Sequence, residues 1–165
     1  MRRIASVVAV VLFGGLTAHL WAGFQRSSST SSMATAAFIG TWRLVSYEIN
    51  GKVDPNRGEH PTGLIYYDTT GHMAAQIAPD RPRPSWPQNS IPTPEHAREA
   101  VTGYTAYFGT YTVDERARTV THHRQGALNL NVVDFVRKYQ FTTEGRLVLL
   151  PVETPESRLV WERIK

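Results

Sequence analysis

His122, His123 and Arg124 form the most conspicuous polar cluster in the sequence. In an extended segment neighbouring side chains point to opposite faces, so one histidine of the pair can turn inward and the other cannot. A metal site built from the pair alone is thereby excluded, because ligands must converge on one point. An inward His122 shares its face with Val120 and Arg124, and an inward His123 shares it with Thr119 and Thr121. Either would be a hydrogen-bonding or general acid–base group inside a cavity; turned outward, either is an ordinary surface histidine. His72 and Gln76 lie on one face of another extended run, with Met73, Ala75 and Ile77 on the other. They line a polar interior or meet solvent around an apolar one. Arg137, Tyr139 and Phe141 also share a face. An arginine set among aromatics binds a carboxylate, or else covers a ring with its stem at the surface.

The candidate ligand-binding set is therefore Tyr66, His72, Gln76, Tyr107, His122, Arg137 and Tyr139, with His72, His122 and His123 as the alternatives for acid–base work. Tyr104, Phe108 and Tyr111 extend the aromatic supply. The chain has no cysteine, which removes disulfides, thiolate metal sites and cysteine nucleophiles. It carries no Ser-His-Asp order, no glycine-rich phosphate loop, no His-x-x-x-His and no close carboxylate pair, so neither a metal nor a cofactor is expected.

The elements that must position these residues are short runs rich in Val, Ile, Thr, Tyr and Phe, separated by Gly, Pro, Asp and Asn. That grammar belongs to antiparallel strands. The first run, 41–49, closes on Asn50-Gly51, a pair that tolerates positive φ. Runs 63–67 and 72–78, joined by Asp68-Thr69-Thr70-Gly71, form a hairpin. The proline-rich stretch 79–92 has little capacity to join a sheet and is expected to be a loop, with Trp86 placed to act as a lid or as part of a rigid connection. Thr93-Pro94-Glu95 predicts a helix start, with Thr93 as N-cap, and Ala97, Ala100, Val101 and Tyr104 give it one apolar stripe.

Strands return at 108–113, 119–124, 137–142, 147–151 and 158–164. Eight antiparallel strands are the number that closes into a small up-and-down barrel, and a two-sheet sandwich is the alternative. The expectation is an all-β, eight-stranded antiparallel barrel with one helix inserted between strands 3 and 4. Alternation fails at Leu44-Val45, where a bulge would reverse which residues face inward.

Ahead of this domain, Arg2 and Arg3 precede an apolar stretch over residues 4–24. A positive start followed by an apolar core reads as an export signal, and about 20 apolar residues also suffice for a membrane anchor. Ala34 and Ala36 form a late A-x-A cleavage pattern; Leu20 and Ala22 form a poorer one nearer the apolar core; a true start near Met33 is the remaining alternative. The organisation expected is a signal or anchor over 1–24, a Ser/Thr-rich linker over 25–36 and a barrel over 37–165, exported to the periplasm or exterior or tethered through residues 4–24. The formal charge is +4, from 18 Lys and Arg against 14 Asp and Glu. Arg2, Arg3 and Arg26 account for three of the 18, which leaves 15 against 14 in the domain. A nearly neutral domain without a basic run is not a nucleic-acid binder.

Several segments together resemble the bacterial and fungal lipocalin-like domain family. They are Phe38-Ile39-Gly40-Thr41-Trp42-Arg43-Leu44 with its Gly-x-Trp, Gly63-Leu64-Ile65-Tyr66-Tyr67 with Gly71-His72-Met73, the stretch 103–111, the His122-His123 pair, and Leu159-Val160-Trp161-Glu162-Arg163. The resemblance implies a calycin-type barrel in which Trp42 plugs one end and Arg163 or Arg158 packs across it. Where relatives often read Ser-Leu-Phe-Pro-Asn-Trp, this chain has Ala-Leu-Asn-Leu-Asn-Val over 127–132.

Three functions remain open from the sequence. One is a monomeric or dimeric carrier of a small hydrophobic or amphipathic molecule. The second is a cofactor-free isomerase, cyclase or hydrolase using a cavity histidine, and the third is a structural envelope protein with a filled barrel.

Overall fold

The computed structural model describes residues 33–83, 85, 87, 89–129 and 133–165. The chain divides into Met1–Thr30 and Ser31–Lys165, and the description concerns the second unit. The export or anchor stretch and the lid residue Trp86 lie outside the described residues. Among the described residues no helix is long and apolar enough to cross a membrane.

The order is α1 (Met33–Phe38), β1 (Gly40–Ile49), β2 (Lys52–Val53), β3 (Thr62–Tyr67), β4 (His72–Ala78), α2 (Pro94–Val101), β5 (Thr105–Asp114), β6 (Thr119–Ala127), β7 (Phe135–Phe141), β8 (Leu147–Pro151) and β9 (Ser157–Arg163). Neighbouring strands pair antiparallel from β3 through β9, and β1 pairs with both β3 and β9. That closure makes an eight-stranded barrel. The ninth strand, β2, is a two-residue addition to the end of β1.

Asn50 and Gly51 carry φ of 53° and 70°, the tight turn their types predicted. Because β2 adds one to the strand count, the helix expected between strands 3 and 4 lies after β4, between β4 and β5. Two residues are too short a run to leave a periodic signal. Thr93 caps α2 as the sequence implied, its hydroxyl accepting from the His96 backbone. A second helix, α1, occupies residues 33–38, part of which the composition assigned to the linker.

Short turns close one end of the barrel, at 68–71, 115–118 and 142–146, while the long connections gather at the other. At the short-turn end α1 lays Phe38 into the barrel against Tyr67, Tyr139 and Phe141, all edge-on at 5.0–5.3 Å between ring centroids. Trp42 lies beneath, donating from Nε1 to the Phe38 carbonyl at 2.8 Å. Of the two arginines left open by the sequence, Arg163 is the one over Trp42, at 4.1 Å from the ring. It also donates to the Ile39 and Ala37 carbonyls. Arg158 sits elsewhere, near Glu48.

A bulge between Leu44 and Ser46 lies at the broken alternation and turns Val45 to solvent while Tyr47 reaches the core. A second bulge, opposite Phe108 and Gly109, leaves Gln125 unpaired. There a Cβ on Gly109 would stand 2.0 Å from the His123 carbonyl oxygen, so the position accepts only glycine.

Candidate functional site

Strand parity decides which candidates meet. The inward face of β6 carries Val120, His122 and Arg124, all buried, and His123 points outward. Its ring bridges Thr112 Oγ1 at 2.9 Å and Asp134 Oδ2 at 2.8 Å on the barrel's exterior. On β4 the apolar face, Met73, Ala75 and Ile77, is the inner one, so His72 and Gln76 are exposed. His72 contacts Thr70 at 2.8 Å in the β3–β4 turn. On β3 it is Tyr67 that turns inward and Tyr66 that faces out. Of the candidates, Tyr66, His72, Gln76 and His123 therefore lie outside the interior. Their runs alternate equally well in either parity, and closing the barrel around the apolar side of β4 fixes the choice.

Tyr107, His122, Arg137 and Tyr139 do face inward. His122, wholly buried, lies between two phenols: Nε2 is 2.8 Å from the Tyr67 hydroxyl and Nδ1 is 2.9 Å from the Tyr107 hydroxyl. Arg137 Nη1 approaches Nδ1 at 3.3 Å. A guanidinium can only donate, so Nδ1 is assigned as acceptor and the ring proton as Nε2–H, donated to Tyr67. Burial pulls the imidazole well below its ordinary 6.5, and the charges of Arg137 and His123 lower it further. Burial likewise raises Tyr67 and Tyr107, with Arg137 opposing the shift at both. At neutral pH the three rings form a neutral hydrogen-bonded partition across the barrel. Tyr139 lies on the other side of it, against Phe38 at the closed end.

Above the partition, toward the long connections, is a cavity of about 200 Å³. Ile65, Ala75, Ile77, Leu149 and Leu159 give it apolar walls; Tyr107, Phe135 and Trp161 add aromatic ones; and Arg137 is its buried cation. Tyr47, Arg57, Thr105, Glu153 and Thr154 stand around it as well. His122 borders neither this cavity nor the neighbouring pocket of about 460 Å³, which shares Arg57, Thr105, Tyr107 and Phe135 with it and reaches α2 at Val101.

Arg57 braces this end. It donates to the Gly103 carbonyl at 2.8 Å and to Thr105 Oγ1 at 2.9 Å, pairs with Asp54 at 3.3 Å and covers the Tyr47 ring at 4.3 Å. Gly103, at φ 70°, lets the α2–β5 link press on the Asn56 carbonyl, where a Cβ would stand 2.1 Å from its oxygen.

Phe135 is flanked by two guanidinium groups, Arg124 at 3.5 Å and Arg137 at 4.8 Å from its centroid. Sequence reasoning did not place Tyr67, Arg124, Phe135 or Trp161 in the site. The alternation of Leu159 with Trp161, continuing inward from the apolar β9 face, was the signal for the last of these.

A family model described as a lipocalin-like domain matches residues 39–164. The chain belongs to the lipocalin-like domain family. The match runs from the residue before β1 to the residue after β9, so the barrel described above is this lipocalin-like domain in full. No curated protein and no solved structure matches the sequence. What a lipocalin-like barrel is suited to is holding a small molecule at its mouth.

Proposed function

We propose that this protein binds a small hydrophobic or amphipathic molecule inside the barrel, as an exported or membrane-tethered carrier. The carrying observation is the cavity beside Trp161: apolar on most sides, bounded below by a neutral partition, and lined by no histidine among the described residues. An acid–base enzyme needs its proton-carrying group within reach of the substrate. Here His122 stands behind Tyr107, while His72 and His123 are outside the barrel. The cavity equally disfavours a filled structural barrel. The two arginines ahead of the apolar stretch 4–24 support the export or tethering part of the reading.

Trp161 on the cavity wall supplies the assay. Titration with the neutral probe 3-phenylpropan-1-ol is expected to change tryptophan emission saturably, and Ala75→Phe, which fills the cavity from β4, is expected to abolish the change while the barrel still melts cooperatively. An equal response from the filled variant, or none from the wild type, would overturn the carrier reading.

A further inference from the structure

We infer that the ligand of the barrel cavity is a small monocarboxylic acid with an apolar body of at least about one ring, its carboxylate held by Arg137. This rests on the cavity-binding reading and adds to it the ligand's head group, charge and size.

Arg137 is 7% exposed, yet among the described residues no carboxylate lies within ion-pairing distance of it. Buried charges are ordinarily paired, because removing an ion from water is costly unless a counter-ion replaces the solvent. One of its N–H groups goes to the neutral His122 Nδ1; the others have no protein acceptor among the described residues, and the side chain borders the cavity. A carboxylate brings two acceptor oxygens and one negative charge, which answers the open N–H groups of Arg137 and the missing counter-ion together.

The charge of the ligand follows from the other ionisable groups on this wall. Arg57 already has Asp54 at 3.3 Å. Glu153 is exposed and accepts from the Val136 backbone at 3.2 Å. One uncompensated positive charge remains, which a monoanion matches and a phosphate dianion exceeds. The body follows from the volume: about 200 Å³ exceeds the roughly 150 Å³ of a cavity that takes benzene, so at least one ring is accommodated. A single ring on a short arm fits, with Ile65, Ile77, Leu149 and Leu159 around it.

The test is calorimetric titration of the full-length chain at pH 7.5 with 3-phenylpropanoate, 3-phenylpropan-1-ol and phenyl phosphate. A hydrogen-bonded charge predicts that the acid binds about 30-fold more tightly than the alcohol, and that Arg137→Gln brings the two within about threefold. Should Arg137→Gln fail to fold, the wild-type comparison and Arg137→Lys, which keeps the charge and should keep the acid ahead of the alcohol, decide the matter. Equal affinity for acid and alcohol would overturn the head-group assignment while leaving the cavity reading intact. Tighter binding of phenyl phosphate would overturn the charge assignment, and no binding by any of the three would overturn both readings.

Discussion

Trp42 beneath the closed end and Trp161 on the cavity wall are each 1% exposed, yet they are treated differently by their surroundings. The Trp42 N–H has a carbonyl at 2.8 Å and a guanidinium stacked on its ring; the Trp161 N–H has no partner among the described residues. The arginines divide in the same way. Arg163 donates to two backbone carbonyls, whereas Arg137 is buried against a neutral imidazole with no counter-ion among the described residues. One end of the barrel is satisfied internally and serves stability. The other leaves donors open, which is the usual mark of a place kept for something the chain does not itself provide.

The largest effect expected from breaking this contrast is at the closed end. Trp42→Ala removes a fully buried indole and leaves the Phe38 carbonyl without its donor, and urea denaturation should show a loss of about 3–5 kcal/mol. A cost below about 1 kcal/mol would mean that this end is not the stabilising one.

Between the two ends, the His122 partition should make stability depend on pH. The imidazole is held neutral in the fold, with its pKa below the ordinary 6.5, so the unfolded chain takes up a proton that the folded one refuses. Stability is therefore complete above pH 6.5 and falls as the pH drops below it, by up to about 1.4 kcal/mol per unit. Urea midpoints at pH 7.5 and 5.5 should show this loss in the wild type and a smaller one in His122→Gln. Identical pH slopes in the two proteins would count against a neutral buried ring.

The smallest effects sharpen the comparison most. Arg163→Met, which deletes two hydrogen bonds and the stacked cation, should cost about 1–2 kcal/mol. Arg137→Met exchanges an unpaired buried charge for an apolar chain of similar length and should fall within about 0.5 kcal/mol of the wild type or above it. Thermal melts of the two variants side by side would settle this, and a larger loss at Arg137 would reverse the assignment of roles.

The fold was largely legible because turns announce themselves. Asn50-Gly51, Asp68 to Gly71 and the Thr93-Pro94 cap each have local backbone requirements that few residue types meet. Even the bulge at Leu44-Val45 left its trace as a break in alternation. What was illegible is parity. In Ile65-Tyr66-Tyr67 either tyrosine can be the inward one, and in His122-His123 either histidine can. The deciding contacts are across strands: Tyr67 meets His122 over 55 residues of sequence, and no local pattern encodes that meeting. The short β2 and α1 were missed for a different reason, since two residues and a run of Met, Ala and Thr carry no period of their own.

The pairing of β1 with β9 joins the first and last strands of the domain, Trp42 opposite Arg163. During synthesis the first strand must therefore wait for the last one to emerge before its free edge is covered. Until then β1 and β8 present unpaired backbone groups, the situation in which strands stick to those of other chains. A seam that joins such distant residues also implies slow folding. The Trp42–Arg163 clasp thus marks the end of assembly as well as the end of the barrel, and keeping that interval short or shielded becomes a task for the cell.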